Sequence, residues 1–193
     1  MNKYMIIFTI LSAVIILVLF VYSSIVEAEA PTEELTEADA KCKIVECTTL
    51  YDVPISDDLQ FFIQEWCKEY GIDPKLVLAL ISVESSFRAN AYNADTKCYG
   101  LMQISTINLP MLRAELGVTD WFNAYENVMG GIYLLRDCFK YDGDTEHALM
   151  IYNNGLSGAK ELFYKGIHST EYSQKVLSAM DNLKVRERIY EEI

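Results

Sequence analysis

The sequence is poor in the residues that metal and redox chemistry need. It has two histidines, His147 and His168, far apart along 193 residues. With neither an HExxH nor a CxxC spacing, zinc hydrolysis and a thioredoxin-like reaction have no residues to carry them. Positive charge is scarce as well. Lys and Arg number 16 against 28 Asp and Glu, a net charge of −12 that offers no basic stripe for nucleic acid. There is no glycine-rich phosphate loop, no sustained apolar-polar alternation of the kind strands show, and no internal repeat. What is present is apolar: 51% hydrophobic residues, enough for one sizeable core once the ends are set aside. The reading is a mostly α protein with one folded domain, no metal, no cofactor and no nucleic-acid partner.

Residues Met5 to Tyr22 form an almost unbroken apolar run behind a single cation, Lys3. Its length exceeds the ~7 to 15 residues of a signal-peptide core and favours a signal anchor; a signal peptide cleaved at Ala28-Glu29-Ala30 is the alternative. Lys3 before the run and Glu27, Glu29, Glu33 and Glu34 after it put the N-terminus inside and the remainder outside the cytoplasm. The chain then divides into residues 1–25, anchor or signal peptide; 26–53, an acidic spacer with at most a short helix around Glu33 to Val45; and 54–193, the folded domain. The partner of the first segment is the membrane. Outside the cytoplasm disulfides are permitted, but Cys42, Cys47, Cys67, Cys98 and Cys138 are odd in number, so at least one thiol stays unpaired. Cys98 is the sole candidate nucleophile among them, and neither His is near it in sequence.

Start and stop signals then mark helices. Ser56 caps one that carries Asp57 and Asp58 in its first turn and stops at Gly71; Asp73 and Pro74 open the next. Leu76 to Val83 leave that second helix no polar face, so it is buried, and at its C-terminal end stands Glu84. Burial disfavours the charged carboxylate and raises its pKa from the ordinary value of ~4.3, which makes a general acid. Arg88 to Tyr99 reads as a loop. Short helices are expected from Gly100 and over Leu109 to Leu116, and a longer one over Asn123 to Lys140, with Gly130-Gly131 admitting a close backbone. Asp144 caps Thr145 to Tyr152, Asn154-Gly155 turns a corner, and Ser157 to Lys165 and Ser169 to about Arg186 complete the set.

Glu84-Ser85 is followed by Gly100-Leu101-Met102-Gln103, Ile151-Tyr152-Asn153-Asn154-Gly155 and Tyr172-Ser173-Gln174-Lys175-Val176. In this order and spacing the blocks resemble the soluble lytic transglycosylase (SLT) family of peptidoglycan-cleaving enzymes, over roughly the last two-thirds of the chain. The resemblance implies a lysozyme-like, goose-type helical domain. It also implies cleavage of the MurNAc-GlcNAc β-1,4 bond of peptidoglycan glycan strands with formation of 1,6-anhydro-MurNAc. Glu84 then acts as acid and afterwards as base, oriented by the Tyr172 hydroxyl, and no second carboxylate is needed because the substrate's N-acetyl group assists. Substrate-binding positions are Ser85, Asn93, Gly100, Leu101, Met102, Gln103, Tyr152 and Asn153, while Asn127 matches a helix signature whose task looks structural. Three positions depart from the family pattern: Asn93 stands where Ser is common, Cys98 where Ala is usual, and Ile151 replaces the Ala of the Ala-Tyr-Asn block. Asp95 is the nearest further carboxylate if the reaction is instead that of a hydrolytic muramidase. A silent wall-binding module, or a structural partner of an envelope machine, would keep the same groove.

Overall fold

The computed structural model describes residues 49–186. The apolar run Met5 to Tyr22, the expected helix around Glu33 to Val45, and Cys42 and Cys47 lie outside the described residues. Among the described residues no helix is long and apolar enough to cross a membrane.

Helix α1, Asp57–Tyr70, begins where Ser56 Oγ accepts the Leu59 amide at 3.2 Å and ends at Gly71, whose φ of 66° a side chain would resist. Helix α2, Pro74–Ser85, is capped by Asp73, which accepts the Lys75 amide at 2.8 Å. Every residue from Leu76 to Ile81 is at most 2% exposed, so α2 is the axis of the main core. It packs on α1 and on the last helix, α6, Glu171–Asn182. Between them come α3, Leu109–Leu116, closed by Gly117; α4, Ala124–Phe139, capped by Asn123; and α5, Thr145–Tyr164, capped by Asp144. α4 packs on both α1 and α5, and α5 on α6. Gly155, at φ 70° and ψ 162°, breaks α5 at the expected corner, two residues after the Tyr152-Asn153 pair.

Where a loop and then a short helix were expected, the chain makes a three-stranded antiparallel sheet: β1 Tyr92–Asn93, β2 Cys98–Tyr99 and β3 Ile104–Ser105, in that order. Strands of two residues cannot display alternation, so nothing in the sequence marks them. Their ladder is extended by Gly100 N to Ala91 O at 2.8 Å and Thr106 N to Lys97 O at 3.1 Å. Gly100 to Gln103 is the β2–β3 turn rather than a helix start, with φ of 74° at Gly100 and 47° at Gln103.

Two further expectations need correction. The neighbour that needs Gly131 is a side chain and not a backbone: a Cβ there would lie 2.7 Å from Met102 Cβ and 2.8 Å from its methyl carbon. The last helix starts at Glu171, after a reciprocal cap between Thr170 and Ser173, and ends at Asn182 rather than near Arg186. Beyond it Val185 bridges to Tyr51, and the buried Gln60 side chain both accepts from Tyr51 N (2.9 Å) and donates to Tyr51 O (3.2 Å). Leu50 and Val53 are buried there, so the folded unit reaches back to the residues before Pro54. Cys67, Cys98 and Cys138 are free thiols; burial pushes those of Cys67 and Cys138 up to about 12, which leaves them inert packing groups.

Candidate active site

The last turn of the apolar helix α2 places Glu84 at the wall of a cleft, half-buried, beside the helix's carbonyl end. The chain then leaves sharply, through Ser86 and Phe87 at φ 52° and 62°. With Gln103, three of the four non-glycine residues of positive φ among those described adjoin Glu84 in sequence or share its cleft. Such strained positions gather where a side chain must be held at a fixed place.

Burial raises the Glu84 pKa, and the negative end of the α2 dipole acts in the same direction. A hydrogen bond from the Tyr172 hydroxyl and the nearby charge of Lys175 oppose that rise without cancelling it. Tyr172 reaches Glu84 from α6, 88 residues on, and donates to Oε1. Burial, then the Glu84 charge, drives the phenol's own pKa up, so it stays a proton donor. Tyr152 comes from α5 just before the break; its hydroxyl donates to Met102 O at 2.9 Å, and burial followed by Glu84 raises its pKa strongly.

The cleft has two lobes. One, of about 660 Å³, is lined by Glu84, Asn93, Cys98, Gln103, Tyr152 and Asn153 with neighbours from α4 and α5. The other, of about 540 Å³, is lined by Glu84, Arg88, Asn90, Ala91, Tyr92, Asn93, Ala94 and Gln103. Glu84, Asn93 and Gln103 belong to both, so the lobes form one groove with the carboxyl group at its middle. Gln103 donates to Gly100 O at 2.9 Å, which fixes its amide at that point. Asn93 Oδ1 accepts the amides of Asp95 and Thr96 at 3.1 and 3.2 Å, leaving its NH₂ for the groove.

Not every residue named from the sequence reaches this groove. Ser85 is 1% exposed and its hydroxyl donates to Ile81 O at 3.1 Å, so it serves its own helix. Leu101 and Met102 are core residues, at 1% and 0%. Gly100 is needed for packing: a Cβ there would stand 2.5 Å from Asn127 Cγ and 2.6 Å from Trp121 O. The fully buried Asn127 accepts Met102 N and donates to Tyr99 O and Trp121 O, all at 2.9 Å, and so holds the β2–β3 turn against α4.

Asp95 is exposed in the turn after β1 and lines neither lobe. Nothing in the sequence singles out Asp137, which does line the larger lobe. Burial alone would raise its pKa, but Lys140 and Arg136, each 2.7 Å away, outweigh it and hold the carboxyl below its ordinary value. Arg88 and Tyr92 were also missed; an arginine four residues after Glu84, just past the helix end, was the available signal for the first. Among the described residues no three His, Cys, Asp or Glu side chains converge on a metal position. What the groove brings together is a carboxyl of raised pKa and a phenol that donates to it.

A helical domain whose groove is centred on a raised-pKa carboxyl has the parts of a general acid, and comparison with known proteins is specific. The chain belongs to the transglycosylase SLT domain family, whose model matches residues 61–170. It is similar to the transglycosylase of Enterobacteria phage PRD1, at 33% identity over 102 residues, which cover 51% of this chain and 37% of that protein. Its fold is that of solved lytic transglycosylases. An inactive mutant of Slt from Pseudomonas aeruginosa gives a TM-score of 0.54 at 18% identity, covering 63% of this chain. The 70 kDa soluble enzyme of Escherichia coli gives 0.55 at 13%, covering 62%. The chain spans 23% of the length of each of these two.

Proposed function

We propose that this chain is a peptidoglycan lytic transglycosylase with Glu84 as acid and then base. The observation that carries the reading is Glu84 at the middle of the groove, its pKa raised by burial and its orientation set by Tyr172. Protonated Glu84 gives its proton to the oxygen of the MurNAc-GlcNAc β-1,4 bond as that bond breaks, and positive charge develops at C1 of MurNAc. The adjacent acetamide oxygen stabilises C1. The Glu84 carboxylate, now charged, takes the proton of the muramic 6-hydroxyl while that oxygen bonds to C1, which closes the 1,6-anhydro ring and restores the acid. No water is consumed. Asn93, Gln103, Tyr152 and Asn153 face the strand, and Asp137 stays in its ion pairs rather than acting at C1.

The substrate lies in the cell wall, and the apolar run Met5 to Tyr22 supplies a matching location. Residues 1–25 hold the chain at the membrane or direct its export, 26–53 act as a spacer, and the domain works on the outer face.

Digestion of purified peptidoglycan tests the reading: the full chain should release soluble muropeptides, and intact wall after prolonged incubation would overturn it. Tyr172→Phe in the same assay probes the acid. Loss of the donated hydrogen bond destabilises the charged form of Glu84, so its pKa rises further and the alkaline limb of the rate profile moves to higher pH. Turnover should fall roughly tenfold or more as the acid loses its orientation. An unmoved alkaline limb would show that Tyr172 does not act on Glu84.

A further inference from the structure

The chain's two histidines, 21 residues apart in sequence, meet at one place in the fold. His147 stands in the first turn of α5 and His168 in the connection from α5 to α6, with His147 Nε2 3.0 Å from His168 Nδ1. Both rings are held by their surroundings. Asp142 Oδ2 accepts from His147 Nδ1 at 2.6 Å, while Asp142 Oδ1 accepts the Asp144 amide at 3.1 Å. Phe163 packs on both histidines: its ring centroid is 4.4 Å from that of His147 and 5.8 Å from that of His168, with the latter two planes only 6° apart. The Gly166 and Ile167 amides donate to Phe163 O and Leu162 O at 2.9 and 3.0 Å, which ties the segment carrying His168 back to α5.

A carboxylate only accepts, so His147 Nδ1 carries the ring proton and the neutral ring presents a bare Nε2. A carboxylate behind an imidazole is the arrangement that orients a metal-ligating histidine and raises its basicity. The spacing fits as well. Two nitrogens bound to one zinc ion at roughly 2.0 to 2.1 Å stand about 2.9 Å apart at a right angle and about 3.3 Å apart at the tetrahedral angle. Imidazole pairs suit Zn²⁺, Ni²⁺ and Cu²⁺, whereas Mg²⁺ and Ca²⁺ take oxygen. We propose that His147 Nε2 and His168 Nδ1 bind a divalent cation of the zinc class, with Asp142 orienting His147. His168 then carries its proton on Nε2. Water completes the shell, since His168 is exposed and, among the described residues, no third His, Cys, Asp or Glu side chain converges there. The cation would staple the connection to α5 two residues before Thr170, the cap of α6, and so brace the helix that presents Tyr172 to Glu84. A ring-to-ring N–H···N bond is the other use of the same spacing, and it needs no cation.

Titration of the full chain with ZnCl₂, followed by calorimetry and by melting temperature with MgCl₂ as the control, tests the site. At a hundredfold excess over Kd, Zn²⁺ should raise the wild-type melting temperature by about 5 °C, and Mg²⁺ should not. Free thiols also take Zn²⁺, so variants assign the effect. His147→Gln and His168→Gln should each weaken binding about tenfold or more, because each leaves a single imidazole. Asp142→Asn keeps both ligands but not the charge behind His147, and should weaken binding about tenfold. Every variant is compared with its own cation-free melt, so a change in the stability of the fold alone cancels. A wild type that does not bind Zn²⁺, or a rise that persists undiminished in both histidine variants, overturns the proposal. Wild-type affinity in Asp142→Asn overturns the orienting role of Asp142. None of these readouts passes through catalysis, so failure here and failure of the functional reading are separate results.

Discussion

Glu84→Gln should abolish turnover while leaving the protein at least as stable as wild type at pH 7. The amide preserves shape and can still accept from Tyr172, but it neither gives nor takes a proton, and general acid-base catalysis is worth about 10²- to 10⁴-fold in rate. The stability half follows from the direction of the pKa shift. Because the folded pKa lies above the unfolded one, ionisation of Glu84 opposes folding. That penalty is absent below the unfolded value near ~4.3, grows as pH rises, and is full above the folded pKa. The amide escapes it, so the melting temperature of Glu84→Gln should match or exceed wild type at pH 7, with any gap closing toward pH 4. Melting curves and muropeptide release across that range measure both halves. A variant less stable than wild type at pH 7 would mean that Glu84 stabilises the fold as a paired anion.

Asn127→Ala should give a large loss of stability. The substitution strands three backbone groups, Met102 N in a fully buried hydrogen bond and Tyr99 O and Trp121 O in part-buried ones. Each buried group left unpaired costs about 1 to 3 kcal/mol, so a loss of roughly 3 to 5 kcal/mol is expected from denaturant unfolding. Activity should fall with it, since the turn that Asn127 holds carries Gln103 into the groove. A loss below about 1 kcal/mol would show that the β2–β3 turn is held by other contacts.

How legible the molecule was depends on the kind of signal. Helices α1 to α5 were readable because their ends are chemical: Ser56, Asp73, Asn123 and Asp144 cap, and Gly71, Gly117 and Gly155 turn. The sheet was not, since two-residue strands leave no periodicity. Glu84 could be singled out from the sequence because an apolar helix ending in a carboxylate is conspicuous. Buried packing roles were opaque: Gly100, Leu101 and Met102 look like a binding motif, yet their tight fit against Asn127 and Gly131 exists only in three dimensions. Asp137 was passed over because it lies on a helix among charges and nothing local shows that its face borders the groove. Tyr172 was reached through family resemblance, for no local pattern could pair it with a residue 88 positions away.

Mass spectrometry of the muropeptides released by the full chain tests the central claim most directly. Closure of the 1,6-anhydro ring with Glu84 as base predicts glycan fragments ending in 1,6-anhydro-MurNAc, lighter by one water than hydrolysis products. Fragments carrying only reducing ends would contradict it, because water rather than the muramic 6-hydroxyl would then have attacked C1.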